Sequence, residues 1–144
     1  IRDSFIGRGL DSAVSYEGSL KLKEISYINS FAIAAGELKH GTIALMEPGT
    51  LVIALACQDF LYEKMVSNIQ EIKARGAYVL AVAKEGNEAI AAQSDKMVYI
   101  PECRDEIVPL ISVVPLQLFA YYVAKKRGCN IDKPKNLAKS VTVE

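Results

Sequence analysis

Residues 51–57 of this 144-residue chain form an unbroken apolar run, LVIALAC. A strand with one wet face alternates apolar and polar residues, so a run without alternation points to a strand buried on both faces. Three further short apolar runs, at 4–6, 78–83 and 97–100, precede helix-like segments as this one does. In 60–75, Leu61, Met65, Ile69 and Ile72 are separated by four, four and three residues, which makes one helical stripe. Gly76 follows where a left-handed cap would stop that helix. Helices are also expected over about 12–29, 87–93 and 107–126, the last closing at Gly128. Strands that alternate with helices pair in parallel through crossovers that cover both faces of the sheet. The expected fold is a doubly wound α/β domain of the flavodoxin or Rossmann-like kind over residues 1–130, with an extended tail over 131–144. Segment 30–46, with Gly36 and Gly41 around Glu37, Leu38, Lys39 and His40, reads as a short broken helix or loop.

Charge narrows the partners. Seventeen basic residues cancel seventeen acidic ones, so no positive field recruits nucleic acid or an acidic membrane surface. The most apolar stretch, 107–123, holds Pro109, Pro115 and Gln117 and is shorter than the about twenty apolar residues that span a bilayer. It reads as a buried helix. The chain opens at Ile1 with no charged region ahead of an apolar stretch, so no signal peptide is expected. Cys57, Cys103 and Cys129 are widely spaced and accompany a single histidine. That pattern lacks zinc-ligand spacing, implies no metal site and fits a reducing cytoplasm.

Three places could carry chemistry. Glu17, Lys21 and Glu24 stand at i, i+4 and i+7 and share one narrow helix face. One reading is a solvated face of paired charges. The other sets the stripe at the carboxyl edge of the sheet, where open α/β folds bind ligands, with a carboxylate as general base and the lysine tuning it. His40 could be structural, or could shuttle a proton from a glycine-flanked loop. Lys139 in the tail is either an inert surface lysine or, once desolvated over a ligand, an amine nucleophile toward a carbonyl. The tail also holds Leu137, Val141 and Val143, three apolar anchors that could dock it. Gly7-Arg8-Gly9 follows the first strand, but position 12 is Ser and no full glycine fingerprint or Ser/Thr cluster provides a seat for phosphate.

Three stretches together resemble one family. They run from Glu17 to Tyr27 (EGSLKLKEISY), from Gly36 to Gly41 (GELKHG) and from Lys135 to Glu144 (KNLAKSVTVE). In that order they are similar to the second sugar isomerase (SIS) domain of the glutamine–fructose-6-phosphate amidotransferase family, and the resemblance covers essentially the whole chain. It implies an enzyme lobe that works with a glutaminase domain and a first SIS domain. Those lobes together make glucosamine 6-phosphate from fructose 6-phosphate and ammonia, without metal or organic cofactor, in a cytoplasmic homodimer. The family's phosphate-holding Ser/Thr loop belongs to the first SIS domain, in keeping with the missing seat here. The resemblance implies that Glu24 is the base moving a proton between adjacent sugar carbons, with Lys21 and Glu17 beside it. It implies that His40 opens the sugar ring of a neighbouring subunit, that Lys139 forms a Schiff base with the keto sugar, and that Ala138 lies at the substrate. Thr42 departs from the proline common in the family after His-Gly, restoring an N–H and freeing φ next to His40. Two other readings remain open. One is a stand-alone SIS module that binds a phosphosugar and regulates, and the other is a two-SIS deaminase or deglycase.

Overall fold

The computed structural model of the chain describes residues 3–135 and 137. Five parallel strands lie in the order β2-β1-β3-β4-β5, with β1 at Ser4–Gly7, β2 at Phe31–Ala34, β3 at Leu51–Ala56, β4 at Tyr78–Lys84 and β5 at Lys96–Ile100. Helices α1 (Leu10–Ser26), α2 (Tyr62–Lys73), α3 (Glu88–Ala91) and α4 (Val108–Lys126) alternate with them. The doubly wound expectation holds.

The apolar run becomes the central strand, and its two faces feed two separate cores. Val52, Ala54 and Ala56 pack with Ile6, Met65, Ile69 and Ile72 under α2, whereas Ile53, Leu55 and Cys57 pack with Phe5, Val14, Leu22 and Leu116 under α1 and α4. Both faces of the strand are thus buried, which is why the run does not alternate. On the second face α1 lies close against α4 because Gly18 has no side chain. A β-carbon there would come within 2.7 Å of Leu116 Cδ1 and 3.0 Å of Phe5 Cε1.

Three expectations change. The segment read as a broken helix or loop begins with strand β2, paired with β1 through Ser4↔Phe31 to Gly7↔Ala34. Four residues at a sheet edge, running straight into a 3-10 turn at Ala35–His40, carry too little alternation to announce a strand. The second change concerns α4, which is not buried all round. Val108, Ser112, Leu116, Ala120 and Ala124 face inward, while Leu110, Val114, Leu118 and Tyr122 are exposed. By length and composition alone α4 could cross a membrane, yet its buried stripe is packed on α1 and the sheet. Pro115 sits within it. The third is the stop of α2, which ends at Lys73, with Gly76 three residues beyond it at φ 84°.

Candidate functional site

Helix α1 leaves the carboxyl end of β1 and must run back along the sheet before the chain can enter parallel strand β2. At about 1.5 Å of rise per residue, Glu17 lies ~10 Å and Glu24 ~21 Å from the start of the helix at Leu10. The stripe therefore extends toward the amino end of the sheet, and the expectation that it sits at the carboxyl edge is not met. Its internal geometry does match the spacing. Lys21 Nζ donates to Glu24 Oε2 at 2.7 Å and lies 3.6 Å from Glu17 Oε1, so the ammonium is clasped between two carboxylates on a half-exposed flank of α1. The hydrogen bond to Glu24, opposed by partial burial, holds Lys21 above the ordinary lysine value. Lys21 is a fixed cation in this arrangement. Pairs this open contribute only a few tenths of a kcal/mol to helix stability, which leaves the clasp free to serve chemistry.

His40 is elsewhere. Its side chain is 74% exposed, and its Nε2 lies 4.0 Å from Glu37 Oε2. The turn that carries it is nevertheless firmly seated. Ala35 and Leu38 are fully buried in the core under α2, Lys39 Nζ pairs with Glu71 Oε1 at 2.8 Å, and the Arg8 guanidinium lies over Gly36 while donating to Asn68 Oδ1 at 2.9 Å. That core is on one face of the sheet and α1 packs on the other. One chain thus brings Glu17, Lys21 and Glu24 together and keeps His40 apart from them. Ala138 and Lys139 lie outside the described residues, as do Val141 and Val143. Leu137, expected to be an anchor, is half exposed.

The crevice where an open α/β sheet usually binds ligands lies between β1 and β3, where strand order reverses. Here an open cavity lined by Gly9, Leu10, Gln58, Phe60, Asp105 and Glu106 remains, but its backbone donors are engaged from within. Gln58 Oε1 accepts the N–H groups of Leu10 at 2.7 Å and Asp11 at 3.4 Å, the first-turn donors a phosphate would use. A β-carbon on Gly9 would stand 2.6 Å from that same oxygen. Asp11, buried, accepts the Cys57 N–H at 2.8 Å. Beside it the wholly buried Lys84 donates to Asp105 Oδ1 at 2.8 Å and Asp59 Oδ2 at 2.9 Å, with Glu102 Oε1 at 3.7 Å. Burial opposes the Lys84 charge, but the hydrogen bonds it donates to Asp105 and Asp59 outweigh that and hold the group above the ordinary lysine value. Burial likewise pushes the Cys57 thiol up, consistent with a core residue. Among the described residues no three His, Cys, Asp or Glu side chains gather as a metal site would need. Sequence reading missed Gln58, Asp11 and Lys84, whose partners lie far away in the chain. The one local sign was a lysine ending an otherwise apolar strand.

The SIS domain family profile matches residues 4–126. The chain is 65% identical over 145 aligned residues to the isomerizing glutamine–fructose-6-phosphate aminotransferase of Caldanaerobacter subterraneus subsp. tengcongensis, covering 100% of this chain and 24% of that protein. It therefore spans about a quarter of the length of such relatives. Among solved structures, the C-terminal domain of glucosamine-fructose-6-phosphate aminotransferase from Francisella tularensis superposes with TM-score 0.84 at 36% identity, covering 92% of this chain and 37% of that one. A glucosamine-6-phosphate deaminase from Thermotoga maritima superposes with TM-score 0.79 at 32% identity, covering 99% and 40%.

Proposed function

Because the chain belongs to the SIS domain family, we propose that it is the carboxy-terminal isomerase lobe of a glutamine–fructose-6-phosphate aminotransferase, a glucosamine-6-phosphate synthase. The observation that carries this reading is the clasp of Lys21 between Glu17 and Glu24 on a half-exposed flank of α1. A carboxylate held by a fixed cation on an accessible helix face suits a general base for a substrate delivered from outside the lobe. In this reading the Lys139 amine adds to the sugar's keto carbon with loss of water, residues 131–144 forming an active-site tail that includes Ala138. Ammonia from glutamine then replaces the lysine nitrogen. Glu24 takes a proton from carbon 1, exchanges it with solvent and delivers a proton to carbon 2, and the aldehyde of glucosamine 6-phosphate results. Lys21 holds a sugar oxygen and fixes Glu24, with Glu17 steadying Lys21.

The engaged donors of the crevice support a role for a second lobe. With the first-turn N–H groups engaged by Gln58, the phosphate of fructose 6-phosphate needs a seat elsewhere, which the first SIS domain would provide and the glutaminase domain would complement with ammonia. The same observation disfavours a self-contained phosphosugar sensor. The separation of His40 from α1 across the sheet supports a homodimer in which His40 opens the sugar ring in its partner's site. Three free cysteines fit a cytoplasmic enzyme. The likeness to a deaminase favours one further reading, in which the same proton transfer runs from glucosamine 6-phosphate toward ammonia release.

The deciding experiment uses the full-length enzyme with fructose 6-phosphate, glutamine or ammonium, in deuterated water. Glucosamine 6-phosphate carrying deuterium at carbon 2, lost with Glu24→Gln, is expected. Ammonia release from glucosamine 6-phosphate without glutamine-dependent synthesis would replace the synthase reading with the deaminase one.

A further inference from the structure

The Gly7-Arg8-Gly9 stretch at the end of β1 lacks the pattern of a phosphate loop, and the structure gives it another use. Both glycines stand where the chain is crowded. A β-carbon on Gly7 would lie 2.5 Å from the Asp11 carbonyl, and one on Gly9, at φ 56°, would lie 2.6 Å from Gln58 Oε1 and 2.8 Å from Leu61 Cδ1. Glycine at these two places lets the chain turn tightly from the strand into α1. Arg8, between them, reaches toward α2, the helix on the opposite face of the sheet from α1. Its Nε donates to Oδ1 of Asn68, a buried residue of α2, at 2.9 Å across 60 positions.

The same guanidinium lies flat on the turn that carries His40. A β-carbon at Gly36 would stand 3.4 Å from Arg8 Nη1 and 3.6 Å from both Cζ and Nη2, three distances so alike that the plane of the group faces that residue. The imidazole of His40 is largely exposed and has one ion-pair partner among the described residues, Glu37 Oε2 at 4.0 Å. Its placement therefore comes from the backbone beneath it. That backbone is a 3-10 helix, Ala35–His40, a form with poorer hydrogen bonds than an α-helix. Two ties fasten it to α2, Arg8 to Asn68 at its start and Lys39 to Glu71 near its end at 2.8 Å. The Lys39 side chain is mostly exposed, so its pair contributes little, and the charge-assisted bond from Arg8 is the stronger tie. We propose that Arg8 is a positioning residue which, with Asn68, clamps the Ala35–His40 turn onto α2 and so sets where His40 presents its imidazole. The proposal rests on the reading of His40 as the group that opens the sugar ring.

The clamp calls for arginine in particular. One planar group serves Asn68 with its edge and Gly36 with its face at the same time, whereas a lysine ammonium is a compact charge on a flexible stem and has no face to lay on Gly36. Ala35 and Leu38, both fully buried in the core under α2, keep the turn on the domain in either case. Loss of the clamp thus loosens the turn without detaching it. A misplacement of about 1 Å in a reacting group is enough to cost about 10²-fold in rate.

Arg8→Lys is made in the full-length enzyme, alone and together with His40→Ala. Amides of 35–41 should exchange with deuterium faster than in wild type, while those of α1 and β3 exchange unchanged. Synthesis of glucosamine 6-phosphate should fall by up to about 10²-fold. In the His40→Ala background the same substitution should change the residual rate by no more than about 2-fold, the tolerance within which uncoupled effects add. A merely structural role would lower the rate equally in both backgrounds. Unchanged exchange at 35–41, unchanged synthesis, or an equal loss in both backgrounds would overturn the proposal. Asn68→Ala, which removes the acceptor, should repeat both effects, and Asn68→Asp, which keeps an acceptor, should reverse them. If Arg8→Lys does not fold, this pair decides by the same measurements. A His40→Ala enzyme with full activity would refute the reading of His40 and the positioning role with it, and faster exchange at 35–41 in Arg8→Lys would still show the clamp.

Discussion

The Asp11 carboxylate accepts the backbone N–H of Cys57 at 2.8 Å, so the first turn of α1 and the end of the central strand β3 are fastened by one side chain across 46 residues. The other oxygen, Oδ1, is buried without a partner. Burial pushes the Asp11 carboxyl up to about 6 against the pull of the Cys57 and Gln58 N–H groups, with Asp105 adding repulsion and Lys84 relief. The folded state therefore binds the proton more tightly than the unfolded chain does. Stability from this group is greatest below about pH 4, declines as pH rises to about 6 and is level above. The whole displacement corresponds to up to about 3 kcal/mol. Asp11→Asn, neutral throughout, should gain on wild type as pH rises from 4 to 6. Denaturant titrations at several pH values check this, and a constant difference would remove the assignment.

Lys84 is fully buried, while Asp59 and Glu102 are mostly exposed and Asp105 is largely covered. Removing the ammonium leaves the inner carboxylate without its cation, which in buried pairs destabilises by about 3 kcal/mol. Lys84→Met is expected to lose about that much. Asp105→Asn should lose less, and Asp59→Asn under about 1 kcal/mol because its pair is solvated. Unfolding midpoints in the reverse order would show that the cluster does not hold the carboxyl edge.

Gln58 substitutes for an anion at the α1 N-terminus. Gln58→Ala should cost about 1–2 kcal/mol, since the Leu10 N–H loses its acceptor while the Asp11 N–H keeps only the Arg8 carbonyl. Inorganic phosphate should then raise the melting temperature of the variant more than that of wild type. Equal phosphate effects on both would mean that the glutamine does not fill an anion seat.

Glu24→Gln keeps the shape of the clasp and removes the base. In the full-length enzyme a general base is typically worth 10²–10⁴-fold in rate, so deuterium entry at the sugar should fall by that factor. Thermal stability should hold within about 0.5 kcal/mol. Isotope entry at the wild-type rate would exclude Glu24 as the base.

His40 and Glu24 lie on segments packed against opposite faces of the sheet, which leads to a complementation test. Full-length Glu24→Gln and His40→Ala variants are each expected to be impaired. Mixed and reassembled, half of the dimers would be hybrids, each with one intact shared site and one doubly damaged one. Activity should recover to about one quarter of wild type. No recovery from verified hybrid dimers would place His40 in its own chain's site or outside the chemistry.

Local pattern was enough to determine four of the five strands and the helices between them, the double burial of β3 and the common face of Glu17, Lys21 and Glu24. Each of these depends on side-chain period along a few turns or a few strand residues, and that period is written in consecutive residues. Only the tertiary structure decided the rest. Strand β2 exists because β1 offers its edge to Phe31–Ala34, and its own four residues do not announce it. The stripe on α1 points away from the carboxyl edge because a parallel crossover makes the helix run back along its strand. The Gln58 plug and the Asp11 and Lys84 ties join residues about 20 to 50 positions apart. Such contacts arise from where the chain returns in space, and a hydrogen bond between distant residues leaves no periodic trace in either partner's neighbourhood.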